Sequence, residues 1–117
     1  MENFLMVEKD DVVVEVVNLT KATVDQAEEL KKILFNLIDK GKQKIVIDLN
    51  HCIFIDSTFL SVLVTVQKEL GKKGGNLKIS SPQNDVANML EVTKMIKVFE
   101  VFESTSEAVK SFKMDIQ

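Results

Sequence analysis

One short stretch holds the groups most able to do chemistry. In Phe54-Ile55-Asp56-Ser57-Thr58-Phe59-Leu60 a carboxylate and two hydroxyls stand between apolar residues. Three chemistries can be asked of them. Nucleophilic hydrolysis would need a base and an oxyanion site. His51, the single histidine, lies in the same connecting segment, and no Gly-x-Ser-x-Gly elbow surrounds Ser57, so an enzyme is not expected. Metal binding would need a ligand cluster, which Asp48, Asp56 and Thr58 do not make, and the single Cys52 reads as a small buried hydrophobe. The third chemistry is phosphate acceptance. A hydroxyl at the start of a helix can hold a phosphate, because the free N–H groups of the first turn and the helix dipole face it.

The elements around the stretch can be read from hydrophobic periodicity. Residues 4–8 form a short first strand, and Asp10-Asp11 suit a turn. Val12 to Val17 is nearly continuous and β-branched, which predicts a strand buried on both faces. Thr23 and Gln26 have the spacing of a capping box. Ala27, Leu30, Leu34, Leu37 and Ile38 follow at helical intervals, and Gly41 ends that helix. Residues 44–49 make the next buried strand, and 53–55 carry the chain toward a helix over 57–73. Residues 77–79 form another inner strand. Ser81 and Pro82 are expected to cap and open a third helix, with Val86, Met89, Leu90 and Thr93 inward. Residues 98–102 alternate like an edge strand. Ser104 and Glu107 suggest a second capping box before a helix that buries Ala108, Val109 and Phe112.

The expected order is therefore β-β-α-β-α-β-α-β-α. It describes one compact α/β domain over residues 1–117, with a small, mixed, mostly parallel sheet, an antiparallel first strand and about four helices.

Composition narrows the partners. The chain has 117 residues, 45% of them hydrophobic and 28% charged, with a net charge of −3. All 15 basic residues are Lys and they are scattered, so nucleic acid is not expected. No window approaches the ~18–20 apolar residues of a membrane helix. The start lacks the basic and apolar regions of a signal peptide, and one Cys allows no internal disulfide, so a cytoplasmic location is expected without a membrane partner. Gly71-Lys72-Lys73-Gly74-Gly75 lacks the P-loop form and follows a helix. It reads as a helix stop and a turn, with nucleotide binding the lesser alternative, and no cofactor is expected.

The Asp56-Ser57-Thr58 stretch falls at a strand-to-helix turn, where ligand and regulatory sites of α/β domains gather. Asp56 or Ser57 suits an N-cap. The helix after it carries a second apolar stripe, Phe59, Val62 and Val66. That stripe is expected to be an exposed docking strip beside Ser57.

Residues 45–49 (Ile-Val-Ile-Asp-Leu), then Phe54-Ile55-Asp56-Ser57-Thr58 and Leu60, resemble the core signature of STAS domains, and among them the bacterial anti-sigma factor antagonists. Leu90 to Thr93, Val98-Phe99 and 104–109 follow in similar order, so the resemblance covers nearly the whole chain. It implies partner switching. The unphosphorylated protein would bind an anti-sigma factor, a serine kinase of the histidine-kinase-like ATPase fold, and so release a sigma factor. Phosphorylation of Ser57 (alternatively Thr58) would end the complex, and a serine phosphatase would reset it. Asp56, Ser57, Thr58, Phe59, Val62, Val66 and Thr20 would form the partner surface. Phe59 stands where the family commonly has Gly, Val17 to Thr20 replaces a Gly-x-Leu-Asp loop, and Lys94 replaces a Gly. The alternative reading is a divergent, non-phosphorylated scaffold subunit of a signalling complex.

Overall fold

A computed structural model describes residues 2–114. Its main sheet has five strands in the order β1 (Phe4–Lys9), β2 (Val12–Val17), β4 (Lys44–Asp48), β6 (Asn76–Ser80) and β7 (Val101–Phe102). β1 runs antiparallel to β2, and every other pairing is parallel. A second, two-stranded parallel sheet joins β3 (Lys21–Ala22) to β5 (Phe54–Ile55). The helices are α1 (Val24–Asp39), α2 (Ser57–Lys72), α3 (Asn84–Val92) and α4 (Thr105–Met114).

The sheet is covered on both faces, which is why β2 reads Val-Val-Val-Glu-Val-Val. Val13 and Val17 join Ile45, Ile47, Leu77 and Ile79 under α1 and α2. Val12, Val14 and Val46 pack against Ala108, Val109 and Phe112 of α4. Each of the Val, Ile, Leu and Phe side chains among them contributes about 1.5–3 kcal/mol by leaving water. Lys78 is also buried on the α4 side. Its Nζ donates to Ser111 Oγ at 2.8 Å and lies 4.2 Å from the Phe112 ring centroid.

The expected strands and helices are all present, with local corrections. β3 and β5 are additional, two residues each. The third helix starts later than expected: Ser81 takes a positive φ of 57° and gives its N–H to the Phe102 carbonyl at 2.8 Å, prolonging the β6–β7 ladder. Gln83 takes the cap position instead, and its side chain ties to the Asn50 carbonyl. Thr93, expected inward, is exposed, and its hydroxyl bonds back to Met89 O at 2.7 Å. Residues 95–97 wind into a 3-10 turn, so only Val101–Phe102 remain of the expected edge strand. In the Ser104 box the Ser hydroxyl accepts the Glu107 N–H at 3.1 Å. The Gly71–Gly75 segment serves the turn: Gly74 takes φ +81°, and a Cβ on Gly75 would stand 2.5 Å from the Gln43 carbonyl oxygen.

Lys94 ends α3 in the left-handed conformation, φ 63°, a place where glycine costs nothing and a side chain costs about 1 kcal/mol or more. Lys94→Gly is expected to stabilise the domain by about 1 kcal/mol. A urea unfolding midpoint that falls, instead of rising, would contradict this.

Candidate functional site

The site is built where α1 and α2 begin side by side. The β3–β5 pair holds them there, with Lys21 opposite Phe54 and Ala22 opposite Ile55. The Asp56 N–H adds a bond to the Ala22 carbonyl at 3.0 Å. Asp56 then serves both helices. Its Oδ1 accepts the Phe59 N–H at 2.8 Å, capping α2, and its Oδ2 accepts the Val24 N–H at 2.8 Å, at the first residue of α1. Thr23 caps α1 in turn, and Gln26 reaches back to complete the capping box. Two positive helix ends are thereby locked together by one carboxylate.

Asp56 is therefore the N-cap, and Ser57 is the first helical residue. The hydroxyls of Ser57 and Thr58 are exposed and make no hydrogen bond among the described residues. The fold does not need them. Thr20 is exposed, and its carbonyl accepts the Ile53 N–H at 2.8 Å, which sets it opposite Ile53, three residues before the Asp56 cap. The structure thus holds Asp56, Ser57 and Thr58 together at the start of α2, with Thr20 at the entry to the β3–β5 pair.

It does not bring Phe59, Val62 and Val66 there. The expected exposed strip is corrected: Phe59 and Val66 are fully buried and Val62 is 9% exposed. The reason is that α2 is wedged between the sheet and α1, so both of its apolar stripes enter one core. Phe59 stacks on Phe4 with ring centroids 6.4 Å apart.

The apolar surface beside Ser57 comes from other residues. Val24, Ile53 and Phe54 are 59%, 47% and 49% exposed; Val24 gives its N–H to Asp56, and Ile53 and Phe54 lie three and two residues before that cap in the chain. A signal for them was available. A two-residue strand can turn only one of Phe54 and Ile55 to the core, and Ile55 takes that place.

The other reactive candidates stay apart from this surface. Cys52 is buried, and burial, followed by the charge of Asp48, pushes its thiol up to about 11, so it holds its proton at neutral pH. Asp48 accepts the Asn50 N–H at 2.9 Å, a turn bond. His51 is exposed. Among the described residues no group of three or more His, Cys, Asp or Glu side chains could hold a metal, and no helix is long and apolar enough to cross a membrane.

The geometry has counterparts among known proteins. The STAS domain profile matches residues 5–108. A Thermotoga maritima protein named as a candidate anti-sigma factor antagonist is 30% identical over 105 residues, covering 89% of this chain and 92% of its own length. The crystal structure of a Thermotoga maritima protein so described superposes with a TM-score of 0.82 at 28% identity, covering 92% of each chain. SpoIIAA, described as an anti-sigma factor antagonist, shares the fold. Its unphosphorylated form gives a TM-score of 0.71 at 18% identity over 97% of this chain and 99% of its own. The phosphorylated Bacillus form gives 0.73 at 14% identity over 93% and 98%.

Proposed function

This chain belongs to the STAS domain family, and from that membership we propose that it is an anti-sigma factor antagonist switched at Ser57. In its unphosphorylated form it binds an anti-sigma factor, a serine kinase of the histidine-kinase-like ATPase fold, and a sigma factor is released. The kinase phosphorylates Ser57, the complex parts, and a serine phosphatase restores the first state. The setting of this exchange is the cytoplasm.

The observation that carries the reading is the division of labour at the α2 start. Asp56 does the capping for both helices, while the adjacent Ser57 hydroxyl is exposed and unbonded among the described residues, with the exposed Val24, Ile53 and Phe54 on the segments that meet at the cap. A phosphate there adds a charge of about −1.5 to −2. The N–H groups of Ser57 and Thr58, at the first two helical positions, are unspent by the helix and can receive its oxygens. The isolated domain therefore tolerates the charge. A partner packed over the apolar rim would have to desolvate it, which costs several kcal/mol.

The test is paired capture from a lysate of the native organism, with wild type and Ser57→Asp as baits, read by mass spectrometry. The expected result is an ATPase-fold kinase held by wild type and lost by Ser57→Asp, with both baits melting at nearly the same temperature. The same partners on both baits would defeat the switch.

A further inference from the structure

The far edge of the sheet carries a surface that the Ser57 site does not use. β1 is an outermost strand, and its consecutive Leu5, Met6 and Val7 are 44%, 53% and 44% exposed. Edge strands are ordinarily guarded by charges, prolines or bulges, and none interrupts these three.

The hairpin register determines which backbone groups this edge offers. Asp10 and Asp11, both at positive φ, make a two-residue turn, so Lys9 and Val12 form the closing hydrogen-bonded pair. Bonded pairs then alternate to the other end, where the Asn18 N–H meets the Asn3 carbonyl at 2.8 Å. Leu5, Val7 and Lys9 are therefore bonded to β2, and the N–H and C=O groups of Phe4, Met6 and Glu8 point outward.

We propose that this edge docks a second copy of the chain, β1 against β1, antiparallel about a two-fold axis at Met6. In that register Met6 faces Met6, and Phe4 faces Glu8. These are the residues with outward backbone groups, so each facing pair exchanges two hydrogen bonds. On one face Leu5 meets Val7 twice, and on the other the two Met6 side chains meet. The three exposed apolar residues of each copy cover those of the other.

The charges agree. Glu8 is bound to Lys42 at 3.1 Å and Asp10 to Lys113 at 3.6 Å, whereas Lys9 makes no ion pair among the described residues. Across the axis Lys9 faces Asn3, which adjoins Glu2 and whose amide bonds the Glu29 carboxylate at 3.2 Å, while Asp10, beyond the strand end and bound to Lys113, falls opposite Glu2. A lone strand edge buries less than the ~1,200 Å² of a standard interface, so the dimer is weak and concentration-dependent. No residue of the Ser57 surface lies on β1, so both copies keep that surface open.

Sedimentation velocity from micromolar to millimolar protein tests this. The weight-average mass is expected to climb from 13.2 kDa toward twice that value. Met6→Pro removes an outward N–H that β2 does not use, so it is expected to remain monomeric with its circular dichroism unchanged. Val7→Lys, which keeps every backbone donor, is expected to raise the dissociation constant at least tenfold. Met6→Cys is expected to oxidise to a covalent dimer, since hydrogen-bonded pairs stand about 5.5 Å apart at Cα. Leu5→Cys, which faces Val7, is not, and native Cys52 is buried. A wild type that stays at 13.2 kDa throughout, or a dimer that survives both Met6→Pro and Val7→Lys, overturns the proposal.

Discussion

Phe59→Ala is expected to cost about 3–5 kcal/mol of folding stability, a large part of what a small domain possesses. The ring is fully buried and stacks on Phe4, so its removal leaves a cavity between α2 and the β1 end of the sheet. The cost includes both the lost transfer energy and the unfilled space. The matched control is Phe54→Ala. That ring is about half exposed on β5, so its truncation is expected to cost under about 1 kcal/mol while weakening partner binding. Urea unfolding of the two variants separates core from docking surface. If Phe59→Ala folded as stably as wild type and Phe54→Ala unfolded, the assignment of the two rings would be reversed.

The second large effect concerns Glu15. It is 1% exposed, points with Val13 and Val17 into the core beneath α1 and α2, and its Oε1 has no hydrogen-bond partner among the described residues. Burial raises its pKa from 4.5 to about 7. Below the unfolded value both states hold the proton and there is no penalty. As pH rises toward 7 the unfolded chain releases its proton first, so stability falls. Above that range the folded protein holds a buried charge at a cost of about 3 kcal/mol. Glu15→Gln keeps the shape and removes the titration. It is expected to stabilise the domain by up to about 3 kcal/mol at pH 8 and to change little at pH 4. Unfolding midpoints for both proteins that stay parallel across this range would show that Glu15 does not carry the penalty.

Much of the fold was legible because its signals are local and strong. The β-branched run of β2, the Thr23–Gln26 box and the spacing of Leu30, Leu34 and Leu37 each specify their element without help from the rest of the chain. β3 and β5 were not legible. Two residues carry no periodicity, and their pairing is made by distant partners, Ala22 with Ile55 and Thr20 with Ile53. The late start of α3 escaped for a related reason: Ser81 is claimed by the β6–β7 ladder, a tertiary bond that no capping preference foretells.

At the site, the type and order of Asp56, Ser57 and Thr58 announced a helix start bearing a free hydroxyl. They left the cap undecided between Asp56 and Ser57. Only the three-dimensional neighbourhood, with Val24 donating to the same carboxylate, decides it. The stripe of Phe59, Val62 and Val66 misled because helical spacing says which residues share a face, not what covers that face. With the sheet on one side and α1 on the other, α2 buries both stripes, and the exposed apolar rim falls to Val24, Ile53 and Phe54.

The most direct test of a switch at Ser57 is the affinity of the captured kinase for this protein before and after phosphorylation, by calorimetry, with the phosphate mapped by tandem mass spectrometry. A phosphate desolvated at the apolar rim predicts modification at Ser57 and binding weakened at least about 100-fold, the equivalent of about 2.8 kcal/mol. Equal affinity for the two forms, or a phosphate carried away from the start of α2, would contradict it.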